Sequence, residues 1–462
     1  MAVRAGCDRV PLRAGRFHQR GERPGLTEPS TGQPDRWPVV VIVGAGFGGL
    51  SAAGALARGA VRVCLIDQRN FQTFQPLLYQ VATAGLDPND VCSSVRGMMF
   101  RQANLEFVMG RVDRVDTRSR QVVLDGGSTI EFDYLVIAAG AVSNDFGVEG
   151  VEGYALPLYT LDDALKIRTR ILLNWERANR SPHLIGQGLL DVVIAGGGPT
   201  GVEVAGALAE LYGLLRRRDY RNLDTSEVHL TLVEGGDDLL APFHRASRRA
   251  ALATLREKGV DVVLSDMITG YEPGRVQLRS GRVLAARTLV WAAGVKASPL
   301  AAACGAEQTR GGRIVVNDDL SVAGLPEVFA IGDVAAAVGA SGELLPQVAQ
   351  VAIQSGKHVA HQILRRSSGL PAEPFRYRDR GSMATIGRNQ AVVELPFGLR
   401  ISGRLAWLTW LVLHLLYLAG VRNRFHVLVN WSWSYLTYDR GARLIQDRDR
   451  DQLERRLTKH DL

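Results

Sequence analysis

The chain has 462 residues, 46% hydrophobic and 22% charged, which is length enough for about three domains that each bury a core. Its net charge of +8 suits phosphate-bearing cofactors and anionic lipid; no nucleic-acid-binding motif accompanies it, so nucleic acid is not an expected partner. The cysteines Cys7, Cys64, Cys92 and Cys304 are scattered without a CxxC pair, which argues against structural zinc, a disulfide framework or a dithiol redox centre and fits a reducing, cytoplasmic compartment.

Residues 1–37 carry Arg, Gly and Pro without an apolar segment, and read as a disordered N-terminal extension rather than a secretory signal. The β-branched run Val39–Val43 then reads as a strand that opens into Gly44-x-Gly46-x-x-Gly49 and a helix-forming stretch. The first glycine permits a tight turn, the second lets a pyrophosphate approach the backbone, and the third lets helix pack closely on strand. The helix N-terminus offers unpaired N–H groups to negative charge. A second strand ends at Asp67, placed to hydrogen-bond a ribose hydroxyl. The run YLVIAAGA (134–141) is a buried-looking strand that ends in Ala139 and Gly140, small residues of the kind needed where backbone passes close to a ligand.

The pattern recurs about 150 residues on, with Gly196-x-Gly198-x-x-Gly201 and a strand-end acid at Glu234. The segment RRRDYRN (216–222) reads as a solvated loop that lengthens the gap to Glu234. A carboxylate there accepts from ribose hydroxyls and repels a 2′-phosphate. Residues Gly235, Gly236, Asp237 and Asp238 offer no Arg to receive one, so NADH is expected over NADPH. Glu203 is expected in the first turn of the following helix, where the dipole alone explains a carboxylate. TLVWAAGV (288–295) ends in Ala293 and Gly294 as the earlier strand ends in Ala139 and Gly140. The fold class is therefore α/β: two Rossmann-like dinucleotide-binding domains, one inserted in the other, plus a C-terminal membrane-associating helical module. The expected boundaries are 38–154 with 306–397 for the first nucleotide domain, 155–305 for the second, and 398–462 for the module.

Two later segments carry further signals. In Ala349-Gln350-Val351-Ala352-Ile353-Gln354 the two glutamines are four apart and share a helix face, as solvated amides or as donors to carbonyl oxygens in an apolar slot. LAWLTWLVLHLLYLAG (405–420) is too apolar for a solvated helix, yet as a helix spans roughly 24 Å against a hydrocarbon core of roughly 30 Å. With Trp407, Trp410, Trp431, Trp433 and Tyr435, and with Arg422 and Arg424 nearby, residues 402–438 suit a membrane surface; a core or dimer-contact helix pair stays open. His414 and His426 read as packing or interfacial residues, not metal ligands, and no metal is expected.

NFQTFQPLLYQVATAGL (70–86), the two glycine motifs, TLVWAAGVKASPL, VFAIGDVAA (328–336), LPQVAQVAIQSGKHVA (345–360) and FRYRDRGSMATIGRNQAV (375–392) together resemble the type II NADH:quinone oxidoreductase family, over residues 38 to about 445. The resemblance implies non-covalent FAD in the first domain, NADH as donor in the second, and reduction of a quinone without proton pumping. It places Gln75, Pro76 and the residues to Tyr79 near the flavin, Asp333 and Ala349 among the FAD contacts, Glu203 by the nicotinamide, and Gln350 and Gln354 at the quinone. It also implies peripheral attachment at the cytoplasmic face of the cell membrane and a homodimer built through the C-terminal part. One position departs from the family: before GSMA it usually carries Lys, and here Arg380 stands there, which keeps the charge but does not readily give up a proton. Two alternatives stay open: a sulfide:quinone flavoprotein, which shares the architecture but needs a reactive cysteine pair, and a rival of another class, a flavin- and NADH-binding redox sensor with little turnover, which Arg380 favours.

Overall fold

The structure, a computed structural model, describes residues 36–418, 421–437 and 441–445. The expected N-terminal extension up to residue 35, and the side chains of Arg422 and Tyr435, lie outside the described residues. In chain order the longer helices are α1 (Phe47–Ala55), α2 (Leu161–Arg180), α3 (Pro199–Leu214), α4 (Arg245–Glu257), α5 (Ala349–Ser367), α6 (Gly403–Tyr417) and α7 (Val421–Thr437). The contacts gather the chain into two compact units.

The first unit holds the described residues up to Gln72, Ser94–Ala141 and Lys296–Arg378. Its sheet runs, edge to edge, Ser321–Val322, Leu325–Ala330, Tyr134–Ile137, Val39–Val43, Arg62–Asp67 and Leu105–Met109. All neighbours pair in parallel except the antiparallel first pair. Both faces are covered: Val40 and Ile42 pack into one core cluster with Ala52 and Val136, while Val41 and Val43 pack into another with Leu135 and Ile137. That double burial is why the strands read as unbroken apolar runs rather than alternating ones. On one face α1 and α5 touch backbone to backbone, since a Cβ added at Gly356 would lie 2.3 Å from the Gly48 oxygen. Gly48 meets Ala352 and, further along, Gly59 meets Leu364, so the two helices run parallel and start at the same end.

The second unit holds Thr73–Ser93, Val142–Val295 and the described residues from Asp379 onward. Its sheet has the order Leu156–Pro157, Thr288–Trp291, Val192–Ala195, Leu230–Val233 and Val260–Val263, all parallel. Residues 73–93, read from the sequence with the first nucleotide domain, cluster here, as do residues from 379 on. The reason for the latter is α3. A Cβ at Gly206 would lie 2.6 Å from the Ile386 oxygen, so this helix accepts the antiparallel sheet Ser382–Thr385, Ala391–Glu394 and Arg400–Ser402 directly on its backbone.

Two local readings change. The helix after the second glycine turn does not give way to a loop at residue 216. It continues as a π-helical turn, Leu215–Asp219, with Arg216, Arg217 and Arg218 exposed. Tyr220 fixes the wider turn: its N–H donates to Leu215 O at 2.8 Å, its hydroxyl donates to Glu176 at 2.9 Å, and its ring lies 5.2 Å from that of Trp175. Glu203 is the second correction. Pro199 opens α3 and the first turn holds no acid, so Glu203 lies one turn further in, away from the orphan amides.

Candidate functional site

Each unit carries a nucleotide cradle, and the two are built alike. In the first, Gly44 takes φ +107°, and a Cβ there would sit 2.3 Å from the Ala138 oxygen. A Cβ at Gly49 would overlap the Gly44 oxygen at 1.8 Å, whereas nothing stands within 4 Å of a Cβ at Gly46. The outer glycines are thus required by packing, and the middle one faces open space. In the second unit Gly196 takes φ +100° with the Ala292 oxygen 2.6 Å from its added Cβ, Gly201 repeats the 1.8 Å overlap on Gly196, and Gly198 faces open space. Ala139 and Ala293 are the matching neighbours: their backbone lies 3.3 Å and 2.7 Å from the added Cβ of the first glycine of each turn. Gly140 and Gly294 follow with positive φ.

The strand-end acids repeat as well. Asp67 accepts from Ala45 N at 2.6 Å and from Arg69 N at 2.8 Å. Glu234 accepts from Gly197 N at 2.5 Å and from Gly236 N at 2.6 Å. Each acid therefore ties its own strand end to the residue between the first two glycines, and its remaining lone pairs are those able to meet ribose hydroxyls. The sequence reading missed Arg248, which comes from α4 to the loop after Glu234. Asp238 holds it, Nη1 to Oδ2 at 2.8 Å, so its charge is already paired.

Around the first cradle, α5 adds a second helix start beside that of α1. Gly332 N donates to Ser355 Oγ at 3.2 Å, which sets the Gly332–Val334 turn and hence Asp333 against the beginning of α5, where Ala349 is the first residue. Gln347 Nε2 donates to Asp333 O at 2.9 Å. Buried Arg313 donates to Ala335 O at 2.8 Å and Leu345 O at 2.9 Å, bracing the same loop. Neither Arg313 nor Ser355 was legible as a site residue; the small pair Ser355-Gly356 inside a helix was the one available signal. Two helix N-termini, an open middle glycine and a strand-end acid form a cradle that fits a pyrophosphate and an adenosine ribose, as FAD requires.

Gln350 and Gln354 lie on one face of α5. Tyr377 Oη stands 3.4 Å from Gln350 Oε1. Gln354 is used differently: Nε2 donates to Arg378 O at 2.9 Å and Oε1 accepts from Arg378 N at 3.0 Å. Both ends of that amide are held by one residue's backbone.

In the second unit, Glu203 meets Thr385 N at 3.5 Å, and its burial raises the carboxyl pKa to about 8. Gln75, with Pro76 beside it in the Gln75–Leu77 turn, donates to Tyr159 O at 3.3 Å. Arg380 Nη1 donates to Tyr417 Oη at 3.2 Å, linking the start of the C-terminal sheet to the end of α6. On α6, Ala406, Trp410 and His414 are buried, and Trp410 stacks on His414 with centroids 4.0 Å apart. Leu405, Leu408, Val412 and Leu416 form an exposed stripe on the same helix, 51–62% accessible. On α7, Trp431 Nε1 donates to Gln80 at 2.9 Å and Asn430 to Asp90 at 2.8 Å, while Phe425, Val429 and Trp433 are exposed. Among the described residues no helix is long and apolar enough to cross a membrane, and no cluster of ligating side chains is suited to a metal ion.

The pyridine nucleotide-disulphide oxidoreductase family matches residues 38–356, and the NDH2 C-terminal domain matches residues 380–438. The type II NADH:quinone oxidoreductase Ndh of Mycobacterium tuberculosis is 38% identical over 433 residues, 90% of this chain and 92% of that one. The chain belongs to the type II NADH:quinone oxidoreductases. The type II NADH:quinone oxidoreductase of Haemophilus influenzae is 31% identical over 409 residues, 81% of this chain and 92% of that protein. The solved structure of NDH2 from Plasmodium falciparum in complex with NADH superposes with a TM-score of 0.79 at 21% identity, covering 89% of this chain and 100% of that one. At that identity the likeness establishes the fold. The solved structure of the sulfide:quinone oxidoreductase from Aquifex aeolicus superposes with a TM-score of 0.68 at 21% identity, covering 84% of this chain and 92% of that one. In the present chain Cys304 sits in the core and Cys64 packs against the same cluster, and burial pushes both thiols up to about 12.

Proposed function

We infer that the protein oxidises NADH and passes the electrons through non-covalent FAD to a quinone, without pumping protons. The single observation that carries this is the duplicated cradle, one in each unit, on a chain 38% identical to a type II NADH:quinone oxidoreductase. The first unit (Gly44, Gly46, Gly49, Asp67, Ala139, Gly140, Asp333, Ala349) is assigned to FAD, with Gln75 and Pro76 as further contacts. The second (Gly196, Gly198, Gly201, Glu234, Ala293, Gly294) is assigned to NADH. When bound, FAD supplies a two-electron carrier that accepts hydride and delivers electrons to a quinone.

The protein's own residues position these partners. Asp67 and Glu234 hold the glycine turns by their backbone amides and select the ribose diols, and the carboxylate of Glu234 disfavours a 2′-phosphate. Glu203 presents a largely neutral carboxyl at neutral pH, a hydrogen-bond donor beside the nicotinamide site rather than a fixed charge. Gln350 is assigned to a quinone oxygen. Gln354 serves the same site by fixing the Tyr377–Arg378 backbone. Arg380 supplies positive charge but does not readily give up a proton, so the protons that complete quinone reduction are assigned to solvent.

The exposed stripe on α6, with Phe425, Val429 and Trp433 on α7, supports attachment to a membrane surface. An apolar face of this kind on an otherwise charged protein is stabilised by lipid or by a second copy of the chain. The reducing compartment that fits the scattered cysteines supports the cytoplasmic face. The test is anaerobic: the purified protein shows a flavin spectrum, NADH bleaches it, and added quinone restores it. Bleaching that quinone does not reverse would leave a redox sensor, and a flavin that NADH does not bleach would overturn the reading.

A further inference from the structure

The loop Asn144–Gly147 of the second unit holds an arrangement that packing alone does not account for. Phe146 takes φ +52°, in the left-handed region that bulky side chains avoid, and Gly147 follows at +71°. Asn144 fixes the pair there. Its Oδ1 accepts from Phe146 N at 3.1 Å, its N donates to Gly294 O at 3.0 Å, and its O accepts from Trp291 Nε1 at 2.7 Å. The loop is thus stitched to the end of strand Thr288–Trp291, yet the phenyl ring it carries is 60% exposed. A glycine at 146 would relieve the backbone, and a mostly exposed ring gains little by burial within the chain. Strain of this kind persists where the surrounding bonds over-determine it, and such positions gather at ligand clamps.

The ring lies on the second cradle. A Cβ added at Gly294 would meet its edge at 2.9 and 3.3 Å, so Gly294 seats the phenyl group with no side chain between them. Ala293 beside it lies 2.7 Å from a Cβ added at Gly196, the first glycine of the turn. Gly196, Ala293, Gly294 and Phe146 are therefore successive neighbours. The strand order gives the direction. Glu234 follows Leu230–Val233 on one side of the glycine turn, and Gly294 follows Thr288–Trp291 on the other. A dinucleotide with its pyrophosphate over the turn and its adenosine ribose at Glu234 extends its second nucleotide toward Gly294. An exposed aromatic ring there suits a flat heterocycle and the carbon face of its ribose, not a phosphate.

We propose that Phe146 is a binding residue for the nicotinamide half of NADH, its exposed ring packing on that nucleotide while Asn144 holds the loop in place. The proposal rests on the assignment of the second cradle to NADH. It gives the strained loop a task that Glu234, on the adenosine side, does not share.

The test uses the full-length, flavin-loaded protein with NADH, a water-soluble quinone, and AMP as a competitor that carries the adenosine half alone. Phe146→Asn removes the ring and puts in a residue that accepts positive φ, whereas Phe146→Tyr keeps the ring. Phe146→Asn should raise the KM for NADH about tenfold, the loss of one aromatic contact. It should leave the inhibition constant of AMP, the KM for quinone and the melting temperature at the parent values. Phe146→Tyr should bring the KM for NADH back to that of the parent. A KM for NADH that Phe146→Asn leaves alone while Glu234→Gln raises it would overturn this proposal and spare the cradle assignment. If neither substitution moves it, the second cradle is not the NADH site and both readings fall. Equal weakening of AMP and NADH by Phe146→Asn would place the ring on the adenosine half, and a lowered melting temperature with an unchanged KM would make it a packing residue; either result also overturns the proposal.

Discussion

The side-chain amide of Gln354 is bonded at both ends to the backbone of Arg378, donating to its oxygen at 2.9 Å and accepting from its nitrogen at 3.0 Å. Its partner on the helix face, Gln350, has a hydroxyl contact at 3.4 Å instead. Two glutamines in one motif therefore carry different tasks.

That difference is measurable. Gln354→Ala removes two net hydrogen bonds, each worth about 0.5–1.5 kcal/mol, so the melting temperature should fall by a few degrees and quinone turnover with it. Gln350→Ala should lower the melting temperature less than Gln354→Ala and raise the KM for quinone, with anaerobic reduction by NADH unchanged. Identical behaviour of the two variants would show that the Arg378 contact does not distinguish them.

Glu203 gives a pH signature. Its folded pKa is raised from 4.5 to about 8 by burial. Between those values the unfolded chain has released the proton and the folded one keeps it, so this group's contribution to stability is complete below pH 4.5 and declines as pH rises through 8. Glu203→Gln should remove that decline. The variant should gain a few degrees over the parent at pH 8 and little at pH 5. Melting curves across that range that stay parallel would place the carboxyl in water.

Glu234→Gln tests cofactor choice and cradle geometry together. Losing the charge should raise the ratio of NADPH to NADH use. The amide, however, offers one acceptor where the carboxylate offers two to Gly197 N and Gly236 N. Hydrogen bonds to a charged group are worth roughly 1.5–3 kcal/mol, so kcat/KM for NADH should drop about tenfold or more. A variant that gains NADPH and loses nothing with NADH would mean that the backbone contacts are unimportant.

Replacing Leu405, Leu408, Val412 and Leu416 with serine should move the protein from the membrane pellet to the supernatant, since each buried aliphatic side chain contributes roughly 1.5–3 kcal/mol. NADH oxidation with a water-soluble quinone should persist, because Trp410 and His414 on the opposite face are untouched. Deleting α6 altogether is a different experiment. It would strip the cover from strand Ala391–Glu394 and the contacts of Trp410, and the protein should lose stability as well as membrane affinity.

Iodoacetamide at pH 8 should leave Cys64 and Cys304 unmodified in the native protein. With thiols pushed up to about 12, roughly one molecule in ten thousand carries the reactive thiolate. Activity that survives labelling of the remaining cysteines excludes a cysteine-based mechanism.

Much of the fold was legible because parallel strands buried on both faces leave a coarse trace: Val39–Val43 and Val192–Ala195 read as strands from their apolar runs alone. The glycine turns were legible for a related reason, since Gly49 and Gly201 have no room for a Cβ and no other residue serves. What stayed hidden depends on contacts remote in sequence. Arg248 is 10 residues from the Asp238 that holds it, and Gln354 is 24 residues from Arg378. Nothing in the sequence around Gly206 signals that the Ile386 oxygen, 180 residues on, lies against its backbone. The π-helical turn depends on Tyr220 reaching Glu176, 44 residues back, which local polarity does not encode.

The two faces of α6 have a consequence for how the protein is made. Trp410 and His414 are buried against structure that leaves the ribosome earlier, including strand Ala391–Glu394 and residues Phe74 and Tyr79. Chains fold largely from the N-terminal side as synthesis proceeds at about 5–20 residues per second, so both nucleotide cradles can form before the leucine stripe emerges. The most aggregation-prone surface thus arrives with its docking partner already built. Translation order leaves only a short interval in which a helix that is apolar all round stands in water with neither protein nor lipid to cover it.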